Sequence, residues 1–353
     1  IKRWRFLRNT CPGINGAERQ ALIMRKYFRP AAFVFTIAAT ILTTILRVWL
    51  TPQMQDSQTG NFHISYVIIG VMLAFLAIIA VLVLTGKGDL PHTNRMIRHS
   101  RMPMAVSGVL FGSVLLITSM FDGWKWMVYD KTPPPNEYVI SRLDSITLTF
   151  TLLLGIIAGL FFIWLGFKLG SSEINLSPAF ALGALAPVLW IWVRLVRYEV
   201  SYASAIPVEQ SFYDFVMLIF TMLFLFSFAR YISKIGDRSP CLLLVYALAA
   251  ALLSLSGSVA SIALFMLGET EAYGSSNLAG MADMSAGVFA ICTAFTMIFA
   301  HAEAGAEPLE NDPIPADSLP DQGEDAGDPE ENGNDMPTVD EILRELHRDE
   351  GEI

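Results

Sequence analysis

A chain of 353 residues that is 53% hydrophobic and only 16% charged cannot cover a soluble surface of its size. Its apolar residues come in runs of about 20, enough to cross a hydrocarbon core of about 30 Å. This excludes a soluble globular domain and predicts an all-α fold, a polytopic membrane helix bundle of about eight transmembrane helices with a disordered acidic C-terminal tail. The net charge of −9 conceals two opposite regions. Residues 302–353 hold 18 Asp/Glu against 2 Lys/Arg, a net of −16, and the rest carries a net of +7.

The chain opens with a basic arm, residues 1–30, holding eight Lys/Arg and one acid, Glu18. Trp4, Phe6 and Leu7 are interleaved with the charges. This pattern suits an anionic lipid surface, at about 1 kcal/mol per basic residue near the headgroups; the plainer reading is a positive-inside signal alone. No DNA- or RNA-binding motif accompanies the charge, so nucleic acid is not an expected partner. Ala31 to Leu50 is too long for a cleavable leader and is expected to remain as the first span.

The transmembrane bundle is expected over residues 31–301. Its spans fall near 31–50, 64–85, 103–121, 145–167, 177–197, 211–230, 240–267 and 284–301. Pro30, Pro103, Pro178 and Pro240 lie where helices are expected to start, a position at which a missing N–H costs nothing. With the N-terminus in the cytoplasm, the inner segments hold 16 Lys/Arg and the outer loops 5. That bias predicts both termini in the cytoplasm. Small residues recur at four-residue spacing: Gly108 and Gly112, Gly155 and Gly159, Ser254 and Ser258, Gly257 and Ser261. They predict closely packed helices.

Leu176 to Tyr202 is the span around which the chain looks organised. It holds Pro187, two tryptophans and two arginines. Charges within spans are functional suspects because of their cost. Arg194 or Arg197 is expected to pair with Asp214 across the outer ends of the fifth and sixth spans. Two roles are open for that pair: orienting the two helices, or forming a transport site beside a helix opened at Pro187, which frees the carbonyl of Gly183. Arg47 is expected to snorkel from the outer end of the first span. No HExxH, Walker loop, GxSxG or metal-spaced cluster occurs, so no catalytic role, cofactor or metal is expected. Cys11, Cys241 and Cys292 lie far apart and are expected to be reduced.

Residues 302–336 have little to bury and are expected to be a disordered acidic linker. Residues 337–348 then read as a short amphipathic helix. Thr338 and Glu341 form a capping box, and Val339, Ile342, Leu343 and Leu346 share one apolar face. Too short to hold alone, this helix is expected to fold in the groove of a cytosolic protein, or else on the chain's own loops.

Pro187-Val188-Leu189-Trp190 with Arg194-Leu195, then Phe224 to Phe228-Ala229-Arg230, resemble uncharacterised multi-pass membrane proteins of clostridial bacteria over roughly residues 178–262. The ending Val339-Asp340-Glu341-Ile342-Leu343 is similar to a short C-terminal motif in proteins of the same bacteria. The resemblance implies a bacterial cytoplasmic membrane and no reaction. The leading functional expectation is a non-enzymatic membrane anchor that presents the 337–348 helix to a cytosolic partner. The alternative is a small-solute transporter built on the fifth and sixth spans.

Overall fold

The computed structural model describes residues 16–56, 62–86, 101–129, 142–170, 178–201, 208–233, 240–267 and 277–304. These form eight helices and, among the described residues, no strand: α1 (Gly16–Asp56), α2 (Phe62–Thr85), α3 (Arg101–Tyr129), α4 (Arg142–Gly170), α5 (Pro178–Ser201), α6 (Val208–Ile232), α7 (Pro240–Met266) and α8 (Asn277–Ala304). All but α5 carry an apolar stretch long enough to cross a membrane. The protein is a multi-pass helical membrane protein, and outward-facing side chains such as Val34, Ile41, Leu73, Val81 and Leu153 meet lipid.

α5 carries Pro187 inside it, and two arginines follow. Its contacts with α4 nonetheless fix its direction. Phe180 near its start packs on Phe161 and Trp164 in the second half of α4. Trp190, half-way along it, lies against Gly155 in the first half of α4. α5 therefore runs antiparallel to α4, as the other consecutive helices do.

Two expected boundaries are corrected. Pro30 does not start a helix but lies inside α1. The residues before it (Ala17, Glu18, Arg19, Gln20, Ala21, Leu22, Met24, Lys26) are mostly strong helix formers, and they carry the helix back to Gly16. The second half of the basic arm is thus a continuation of the first span. α8 runs on to Ala304, into the segment expected to be disordered. Pro178 and Pro240 do open their helices, and Pro103 falls in the first turn of α3. The partner-binding positions Val339, Ile342, Leu343 and Leu346 lie outside the described residues.

Each of α3 to α8 packs against the next, and α8 packs back on α3, so these six helices close into a ring. α1 and α2 sit outside it, both against α7. The centre of organisation is therefore α7, not Leu176–Tyr202. Almost every residue from Leu243 to Ser258 is buried.

The α3–α4 contact depends on glycine. A β-carbon on Gly112 would lie 2.6 Å from the carbonyl oxygen of Gly159, and one on Gly159 would lie 2.9 Å from that of Gly112. Two backbones meet there with no room for side chains.

Phenylalanines fill the middle of the ring. Phe289 of α8 stacks on Phe111 of its neighbour α3 at 6.0 Å. It also reaches across to Phe162 of α4 at 5.0 Å, and to Phe224 and Phe228 of α6 at 5.8 and 5.1 Å. All five are buried. Aromatic pairs of this kind, two of them edge-to-face, contribute about 0.5–1.5 kcal/mol each beyond the area they bury.

Candidate functional site

Charged side chains are costly enough in a bilayer that their positions direct attention. Arg47, Asp122 and Arg194 lie late in α1, α3 and α5, and Asp214 and Asp283 lie early in α6 and α8. Because successive helices alternate in direction, all five reach one end of the bundle. Arg29, Lys168 and Arg230 lie at the opposite end. Trp49, Trp124 and Trp192 point outward, each two residues from one of the inward charges. Two residues turn a helix by about 200°, so a single turn carries a charge inside and an indole outside. Exposed tryptophans mark the level of the membrane–water interface.

Arg194 makes the central contact. Its guanidinium donates two hydrogen bonds to Asp283, Nη1 to Oδ1 at 2.7 Å and Nη2 to Oδ2 at 3.1 Å. α5 and α8 face each other across the ring, so this bidentate pair spans it. The guanidinium also sits 4.9 Å from the centre of the Trp190 ring. Trp190 has room because residue 155 is glycine. A β-carbon there would come within 3.1 Å of the indole Nε1 and would collide with the Ser119 hydroxyl. The charges of Asp122 and Asp214 act on Arg194 as well.

Arg47 forms the second half of the site. It is 7% exposed, and its guanidinium carbon lies 3.7 Å from the centre of the Tyr213 ring. The Tyr213 hydroxyl donates to the Leu253 carbonyl and shares a 2.9 Å hydrogen bond with Ser256 Oγ, both on α7. Gly257 leaves space for both side chains: a β-carbon would lie 2.9 Å from Tyr213 Cε1 and 3.3 Å from Arg47 Nη1. The charges of Arg47, Asp283 and Arg194 all act on Asp214. One step deeper, Thr221 and Ser254 share a buried 3.3 Å contact between α6 and α7.

Comparison with known proteins gives no match: no family model, no curated protein and no solved structure fits the chain.

The expected pairing of Arg194 or Arg197 with Asp214 is corrected. The bidentate partner of Arg194 is Asp283, 89 residues on, while Asp214 is a near neighbour in the same field. Arg197 lies one turn further along α5 and is half-buried. Pro187 is buried two turns below Arg194 in a helix that continues through it. The bare Gly183 four residues before it receives the Phe161 ring. Arg47 does not snorkel to the surface, because Tyr213 and Gly257 give its planar group a buried seat.

Asp283 lies one residue before the apolar run expected as the eighth span, 284–301, whereas α8 begins at Asn277 and carries it on a helix. Its place between Gly280 and Gly287 on a helix was the available signal. Cys241 and Cys292 are free thiols, and Cys11 lies outside the described residues. Among the described residues, no three His, Cys, Asp or Glu side chains converge as a metal ion would require.

Proposed function

We propose that this multi-pass protein binds a small polar solute at the charged end of the α3–α8 ring and acts as a transporter or solute receptor rather than an enzyme. The observation that carries this reading is the buried Arg194–Asp283 pair across the ring. A purely apolar filling would hold the helices as well, since replacing a buried ion pair by hydrophobic residues is often neutral or stabilising. Below the pair, the phenylalanine layer closes the ring axis, as the barrier beneath a binding site would. The test is ligand-dependent thermal stabilisation of the purified protein across cationic, anionic, zwitterionic and neutral small solutes. Saturable stabilisation by one class is expected, lost in Asp283→Asn and kept in Gly70→Ala, whose position has open space around it. No stabilisation by any class would overturn the reading.

A second reading is favoured by the tail. It makes the bundle an anchor, with the 337–348 helix held out to a cytosolic protein through Val339, Ile342, Leu343 and Leu346. Its support is the net −16 over residues 302–353 and the capping box before an apolar stripe. Deleting residues 337–348 should abolish partner capture and leave membrane insertion intact; unchanged capture would count against it. Both readings put both termini on the cytoplasmic side, from the Lys/Arg bias of the loops, and the bacterial cytoplasmic membrane is what the clostridial resemblance implies. The basic arm would then lie on anionic lipid.

A further inference from the structure

We propose that the charged end of the ring is a recognition site for organic cations, of the guanidinium or alkylammonium class, and that Arg194 is its tethered occupant. This rests on the solute-site reading above and names the class of solute. Arg194 is treated as a cationic ligand would be. A carboxylate grips it in bidentate fashion at 2.7 and 3.1 Å. An indole face lies under it at 4.9 Å. Two further carboxylates, Asp122 and Asp214, act on it from two other helices. Carboxylates combined with an aromatic face are how proteins hold substituted ammonium and guanidinium groups.

Three carboxylates, Asp122, Asp214 and Asp283, act on Arg194. Arg47 is committed elsewhere, its guanidinium carbon 3.7 Å from the centre of the Tyr213 ring. The group that a free cation can replace is therefore Arg194, at the end of a long flexible side chain. When a soluble cation takes its place on Asp283, the α5–α8 connection across the ring is released. Ligand binding and opening of this end become one event. A bare metal ion is a poorer candidate, since among the described residues no three His, Cys, Asp or Glu side chains come close enough together to ligate one.

The test uses the full-length chain in nanodiscs of neutral lipid at constant ionic strength. The probes are methylguanidinium, ethylammonium and, for contrast, acetate. The readout is saturable binding by calorimetry together with the thermal midpoint. Wild type is expected to bind the two cations weakly. Arg194→Ala should bind methylguanidinium at least tenfold more tightly and regain thermal stability as it saturates. Arg194→Lys, which keeps the charge but loses the fork geometry, should bind it with intermediate affinity, and this variant decides the matter if the alanine variant does not fold. Asp283→Asn should lose the effect. Equal affinity in wild type and Arg194→Lys would overturn the proposal. Binding of acetate without either cation would overturn it while leaving a solute site in place, and binding of no probe by wild type or either Arg194 variant would remove both.

Discussion

At the scale of single residues, the buried pair sets the sharpest expectation. Removing one partner leaves the other charge buried without compensation, which costs about 3–5 kcal/mol. Asp283→Asn should therefore lower the unfolding midpoint in detergent strongly. The double replacement Arg194→Met with Asp283→Leu should recover most of that loss, and a loss equal to the single variant's would show that the site tolerates no apolar filling. Tyr213→Phe removes the donor to Leu253 and the bond to Ser256. It should cost about 1–3 kcal/mol through unsatisfied groups, measured in the same unfolding assay. The arginine at 194 was legible as a charge in an apolar span. Its partner was not, because the apolar run alone marks a span from residue 284, whereas the helix starts at Asn277 and so includes Asp283. Arg47 was misjudged for another reason. Its burial depends on a tyrosine in another span and a glycine in a third, and no local pattern announces that coincidence.

At the scale of helices, the glycines separate packing from propensity. Gly70 on α2 has nothing near it, whereas Gly112 on α3 faces the backbone of α4. Gly70→Ala should be neutral or slightly stabilising, by up to about 0.5–1 kcal/mol, because alanine favours a helix. Gly112→Ala would press a methyl onto a carbonyl oxygen that cannot move aside alone. It should destabilise by about 1–3 kcal/mol, and resistance to unfolding in mixed micelles compares the two directly. The four-residue spacing of Gly108, Gly112, Gly155 and Gly159 was readable as close helix approach, and the α3–α4 interface is where it occurs. What the pattern could not say was which helices pair, since any small-residue face fits any other. Helix existence was readable from hydrophobic runs, whereas the first helix's start was not. The strong helix formers behind Pro30 outweighed the usual meaning of a proline at an apolar boundary.

At the scale of the molecule, the ring of α3 to α8 with α1 and α2 outside it was not written in any periodicity. It follows from which faces match, and those matches are long-range: Phe289 with Phe111, Phe162, Phe224 and Phe228, and Arg194 with Asp283. Because α1 and α2 contact the ring mainly through α7, a chain cut between Gly86 and Arg101 should reassemble. Co-expressed fragments are expected to co-purify, and Arg47→Leu with Tyr213→Ala should weaken that association. Recovery of the second fragment without the first would show that the α1–α7 face holds little.

The seat of Arg47 also has a consequence in time. Tyr213 is synthesised about 170 residues after it, a wait on the order of 10–30 s at about 5–20 residues per second. Throughout that interval the guanidinium belongs to a helix whose matching surfaces do not yet exist. A long side chain can reach for the headgroups meanwhile, and the buried seat of Arg47 forms only once α6 and α7 arrive. A nascent chain that stalls before α6 stays marked by an unmatched charge at the edge of its first span. The same arginine that helps lock the finished bundle thereby distinguishes a complete chain from an interrupted one.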